Sequence, residues 1–205
     1  MTAPSTLAVE AGAKGEIIGL WPTPVWLGHL DLSELRPSEW PDLSSPEAGD
    51  RLPFAGAVEE AALTGCQLVP DPRVERDAAL QLGNDGSSGR AAVRWAWRRT
   101  VETWDAGFFV GARYVPEDIR VLVVLRSETP HEYPDSGALF IHDPRDGAGH
   151  VTIPGLPWGR PLRIPAQPGL ALAFPGWLRW SVAPLRPGHS MTVWIGSASR
   201  DRNAS

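Results

Sequence analysis

The chain carries one cysteine, Cys66, so no intrachain disulfide can form. That fits a reducing compartment, the cytoplasm. Cys66 itself reads as a small buried hydrophobe rather than a nucleophile. Lysine is almost missing. Lys14 is the only one, and arginine supplies the rest of the positive charge. We read this as the base composition of the gene rather than a phosphate-binding design. The net charge is −5, and nothing in the composition predicts a nucleic-acid partner, which would need a concentrated basic surface. No run reaches the roughly 20 apolar residues of a membrane-spanning helix, so no membrane partner is expected. Residues 1–15 lack the charged start and apolar stretch of a signal peptide. Also missing are a Gly-x-Ser-x-Gly elbow, a phosphate-binding Gly-Lys-Ser/Thr loop, a dinucleotide fingerprint and any internal repeat.

What is present points to β-structure. With 205 residues and 42% hydrophobic content, the chain suits one domain with a sizeable core. We expect a disordered tail over 1–15, one domain over 16–198 and a second disordered tail over 199–205. The chain has 21 Pro, 21 Gly and ten Trp. Many Pro and Gly favour short strands and turns over long helices. Most of the Trp are expected in the core, and a minority could line a binding groove.

Along the chain, Glu16 to Leu32 is rich in apolar and aromatic residues and reads as extended. Pro22 and Pro24 make it an edge or interrupted strand. Residues 33–53 read as a connecting loop, and Ala55 to Leu63 as a short helix ending near Gly65. Leu68 to Pro72 reads as a turn, and Gly83 to Gly89 as a flexible loop. Arg90 to Trp104 reads as a helix, because Val93, Trp97, Val101 and Trp104 recur at helical spacing. Beyond Phe108, strands are expected at 108–114, 119–126, 137–142, 161–164, 170–174 and 190–196. Turns are expected at Asp135-Ser136-Gly137, Asp146 to Gly149, Gln167-Pro168-Gly169 and Arg186-Pro187-Gly188. Helices first and many short strands after predict a mostly β double-stranded β-helix, a cupin-like jelly roll with one or two supporting helices.

Three stretches carry a family resemblance. They are Trp21-Pro22-Thr23-Pro24-Val25-Trp26, the run Gly137 to Arg145 (Gly-Ala-Leu-Phe-Ile-His-Asp-Pro-Arg), and Phe174-Pro175-Gly176-Trp177-Leu178 followed by Val182 and Pro184. In order and spacing they resemble a small bacterial branch of the Fe(II)/2-oxoglutarate oxygenases. The resemblance implies an iron held by two His and a carboxylate, or by three His. Its first ligand pair falls at Gly111 and Arg113, and its last ligand at Trp180. Glycine has no ligand atom, arginine is a cation with no acceptor, and an indole only donates. The oxoglutarate-binding Arg of that family falls near His189 or Ser190. The resemblance therefore implies a degenerate member with no metal and no cofactor.

Among the five histidines, His131, His142 and His150 are the set from which a relocated metal site could be built. The adjacent His142-Asp143 could also serve as a general base with an orienting partner. The plainer reading is that Asp143 and Arg145 fix a loop.

Arg113, Arg163, Arg179, Trp180 and His142 are the expected substrate-binding residues. Arginine offers charge-assisted hydrogen bonds to a carboxylate, and tryptophan a stacking face. Trp180 could equally plug the space left by a metal. The function implied is a metal-free, oxygenase-like binding protein for a precursor peptide or small molecule. The context is natural-product biosynthesis, similar to metal-free peptide-binding proteins of crocagin-like ribosomal-peptide pathways, where such a protein assists cyclisation by orientation. Two alternatives stand beside it. One is an active hydroxylase with relocated ligands. The other is a non-catalytic assembly subunit, as a homodimer or paired with a homologue.

Overall fold

The computed structural model describes residues 6–8, 13–20, 23–34, 41–43, 45–66, 94–128, 133–144 and 159–200. Among the described residues, eleven strands are arranged in two antiparallel sheets. They are β1 (Thr6–Ala8), β2 (Ala13–Leu20), β3 (Thr23–Leu30), β4 (Trp95–Trp104), β5 (Val110–Arg113), β6 (Ile119–Ser127), β7 (Leu139–Ile141), β8 (Leu162–Ile164), β9 (Leu170–Pro175), β10 (Trp180–Val182) and β11 (Met191–Arg200). The wide sheet runs β1-β2-β3-β9-β6-β11-β4, and the small one β5-β10-β7-β8. From β4 onward the chain winds between them. Strands β4, β6, β9 and β11 lie in one sheet and β5, β7, β8 and β10 in the other. That is the jelly roll the sequence predicts.

The centre of the wide sheet is covered on both faces, and its sequence reflects this. Every residue of β9 is buried, as are the first residue and the middle five of β6. Such strands read as continuous apolar runs rather than alternations. Leu122, Val124, Leu172, Phe174, Met191 and Val193 face the small sheet. Val121, Val123, Ala171, Ala173 and Trp194 face the other way, onto helix α2 (Ala55–Gly65). That helix presents Val58, Ala61 and Ala62 at helical spacing, and small side chains let it lie close to the sheet. Helix α1 (Ala48–Arg51) sits closer still. A Cβ on Gly49 would stand 2.7 Å from the Arg99 carbonyl carbon, so only glycine fits there. The Gly49 carbonyl accepts the Trp194 indole N–H at 2.9 Å. Arg99 in turn donates to Glu59 at 2.9 Å and to Asp50 at 3.0 Å, tying the helices to β4.

Several sequence expectations are corrected. Arg90 to Trp104 is not a helix where described, because Trp95–Trp104 pairs with β11 over ten residues. Trp97 and Val101 are four residues apart, an even spacing that also places both on one face of a strand. The β-branched and aromatic content of Trp95, Trp97, Thr100, Val101, Thr103 and Trp104 was the better signal. The stretch from Glu16 to Leu32 is interrupted, giving β2 and β3 as separate strands, but β3 is not an edge, since it lies between β2 and β9. Pro24 is tolerated because the pairing of β3 with β9 covers Trp26 to His29 only. Finally, 33–53 is not all loop, since it includes α1. Strands β1 and β2 fall partly within 1–15, and β11 runs on to Arg200, inside the segment whose composition reads as a tail. The expected turns 68–72, 83–89 and 146–149 lie outside the described residues. Among the described residues, no helix is long and apolar enough to cross a membrane.

Candidate functional site

Strands β5 and β10 lie side by side in the small sheet. Trp180 is opposite Arg113 and Val182 opposite Val110, with an irregular register between them. Directly opposed residues in an antiparallel pair share a face, so the two are neighbours. Trp180 points between the sheets, is 2% exposed, and lies 5.9 Å from the Phe174 ring. Its indole N–H has no hydrogen-bond partner among the described residues. Arg113 is exposed at the end of β5, and its guanidinium carbon lies 5.9 Å from the centre of the Trp180 ring, a cation–π contact. A Cβ on Gly111 would meet open space.

These three positions are where the resemblance expects iron ligands, and the residues there do not fit a metal. Gly111 offers no atom, Arg113 would repel a cation, and the Trp180 indole fills the interior. The oxoglutarate Arg is not at its expected place either. His189 is 2% exposed there, with Nδ1 2.6 Å from the Ser136 hydroxyl and Nε2 3.2 Å from that of Ser127. Burial lowers its pKa. Among the described residues, no group of three His, Cys, Asp or Glu could hold a metal ion. His131 and His150 lie outside the described residues, so the relocated trio is not placed.

The other expected binding residues lie on the outer face of the small sheet. The N–H of His142 donates to the Arg179 carbonyl at 2.9 Å, and its Nε2 lies 2.8 Å from the Ser181 hydroxyl. Ser181 is flanked by buried Trp180 and Val182, so it points outward. The pKa of His142 is lowered, first by burial and then by the charge of Arg179. Arg163 is apart from this group. It donates to Asp135 at 2.6 Å and to the Pro134 carbonyl at 2.9 Å. Four of the five expected residues thus form two pairs, Arg113 with Trp180 and His142 with Arg179. Arg163 joins neither pair and is held instead by Asp135 and the Pro134 carbonyl. Arg113 is the exposed last residue of β5. Cys66 is 3% exposed, and burial pushes its thiol up to about 12, too high for a nucleophile at neutral pH.

Sequence reasoning missed Ser181 and two exposed aromatic rings. Tyr114 follows Arg113, and Trp177 tips the turn between β9 and β10. They are 59% and 54% exposed and line a cleft of about 410 Å³ with Val115, Pro116, Glu117, Asp118 and Gly176. The cleft floor is two loops zipped together. The Gly176 N–H donates to the Asp118 carbonyl at 2.9 Å, and its carbonyl accepts from Val115 at 3.1 Å. A Cβ on Gly176 would come within 1.8 Å of the Glu117 oxygen. The Pro175-Gly176-Trp177 tripeptide carried the signal, since a Pro-Gly turn lifts the next side chain out of the strand.

No family profile matches the chain, and no curated protein sequence does. Among solved structures, a prolyl-4-hydroxylase from Pseudomonas putida is similar at 15% identity and a TM-score of 0.45, covering 80% of this chain and 73% of that one. An oxidoreductase of the 2OG-Fe(II) oxygenase family from Burkholderia pseudomallei is similar at 18% identity and a TM-score of 0.39, covering 91% and 73%. A prolyl 4-hydroxylase from Phytophthora capsici is similar at 10% identity and a TM-score of 0.36, covering 74% of this chain and 47% of that one.

Proposed function

We propose that this chain is a metal-free, oxygenase-like jelly roll that binds a peptide or small carboxylate-bearing ligand at the end of the sandwich marked by Arg113. One observation carries the reading. The cross-strand partners that stand where the resemblance expects metal ligands are an exposed arginine and a tryptophan 2% exposed. A buried indole there leaves no room for a metal and its substrate. An exposed guanidinium stacked over that indole is a pre-ordered donor fork for a carboxylate. The aromatic cleft of Tyr114 and Trp177 begins one residue beyond Arg113, which gives a bound peptide a surface to run along. The context remains ribosomal-peptide natural-product biosynthesis, with a precursor peptide as partner and ring closure assisted by orientation alone.

The test is calorimetric titration with a panel of short peptides, each as free acid and as C-terminal amide. The expected result is saturable binding of free acids, weakened about tenfold or more in Arg113→Ala, as for loss of one charge-assisted contact. Equal affinity for acid and amide, or an unchanged Arg113→Ala, rejects the reading.

A further inference from the structure

We propose that Ser181 and His142 form a nucleophile–base pair on the outer face of the small sheet, acting on activated acyl groups, with Arg179 beside them for the developing oxyanion. The geometry is that of a working pair. His142 Nε2 lies 2.8 Å from Ser181 Oγ, within the range for proton transfer. Both residues are half-buried, so a ligand reaches them while water is partly excluded. Two strands hold them. Ser181 pairs with Phe140 across β10 and β7, and His142 follows β7 directly, tied by its backbone to Arg179. Phe140 is half-buried on the same face and gives the acyl chain an apolar neighbour. Burial, and then the Arg179 charge, keep the ring neutral near pH 7, as a base must be.

The contrast with His189 sharpens the assignment. That ring also touches serines, but it is 2% exposed and has a hydroxyl at each nitrogen. Ser136 in addition accepts the Arg186 N–H at 2.9 Å. This second histidine is a structural clamp; the first faces outward.

In the reaction, Ser181 Oγ attacks the carbonyl carbon of an ester and its proton passes to His142 Nε2. The new C–O bond forms as the carbonyl electrons move onto oxygen, beside the Arg179 guanidinium. The bond to the leaving alcohol then breaks, and the alcohol departs with the proton from His142. Water, deprotonated by the same ring, releases the acyl group as its acid and restores Ser181. No metal, oxidant or reductant enters.

The inference goes beyond ligand binding at Arg113 and does not depend on it. Its probe is para-nitrophenyl acetate with the full chain. The background is low, because Lys14 is the only side-chain amine. A stoichiometric burst of nitrophenol is expected, with the acetyl group mapped by mass spectrometry to Ser181. Ser181→Ala removes the burst and Ser181→Cys keeps an adduct at the same position. His142→Gln slows acylation about a hundredfold, the usual contribution of a general base. In the unsubstituted chain the rate rises with pH through a midpoint below 6.5, the ordinary histidine value, and His142→Gln loses that rise. An adduct only on Lys14 or the amino terminus, or a burst unchanged in Ser181→Ala, overturns the proposal.

Discussion

Trp180 and Ser181 are neighbours on one three-residue strand and look in opposite directions. Inward, Trp180 is buried against Phe174 and fills the space between the sheets. Outward, Ser181 meets a half-buried histidine, His142, whose pKa is lowered by burial and then by the charge of Arg179. In one step along the backbone the chain passes from apolar packing to polar chemistry. Ile141 and His142 repeat the step on the adjacent strand. The comparison teaches where to look for function here. Between the sheets the small sheet contributes apolar packing, while its outer face carries polar and charged side chains.

The largest effect should come from emptying the interior. Trp180→Ala is expected to cost about 3–5 kcal/mol, the range for a large aromatic removed from a core. Chemical denaturation measures it. A loss under about 1 kcal/mol would mean the indole is not a structural plug.

Next is the seam between the loops that carry Tyr114 and Trp177. Gly176→Ala should cost about 1–3 kcal/mol through overpacking, because the new methyl meets the Glu117 carbonyl. A thermal shift near zero would show that the two loops move apart easily.

A third effect separates the two histidines by pH. Both have pKa values lowered in the folded state, His189 by burial and His142 by burial and then Arg179. As pH falls below about 6.5 the unfolded chain takes up protons first, so stability declines from there until the lowered folded values are passed. Above about 6.5 their contribution is fully present. Denaturation midpoints across pH 5 to 8 measure the slope. His189→Gln should flatten part of it at a cost to the clamp, and His142→Gln should flatten part with little cost. Midpoints that rise on acidification would contradict the assignment.

The smallest change in stability belongs to the outer face. Ser181→Ala should alter folding by no more than about 1 kcal/mol, the worth of one partly exposed hydrogen bond, while abolishing acylation. A much larger loss would make Ser181 a structural residue like Ser136.

Much of this was legible in the sequence. The strands after Phe108 are bounded by turn residues, and three expected turns end in glycines of positive φ, Gly137, Gly169 and Gly188. Helix α2 was found to within two residues, because small and apolar residues recur at its period. Strand β10 was not predicted, because three residues between Leu178 and Ala183 give no measurable alternation. Strand β4 was misread because an apolar spacing of four suits a helix and a strand alike. At the site, Arg113 and Trp180 were marked only through the family resemblance, and their cross-strand contact comes from the pairing of β5 with β10. The outward group was only half legible. His142 was marked, but its partner Ser181 is 39 residues away in the chain, and β7–β10 pairing alone brings them into contact.

The most direct measurement is the iron content of the full chain after anaerobic incubation with Fe(II) and 2-oxoglutarate, followed by desalting, beside a variant carrying Gly111→His, Arg113→Asp and Trp180→His. The expected result is no retained iron in the unsubstituted chain and measurable iron in the triple variant. Near-stoichiometric iron in the unsubstituted chain would contradict it.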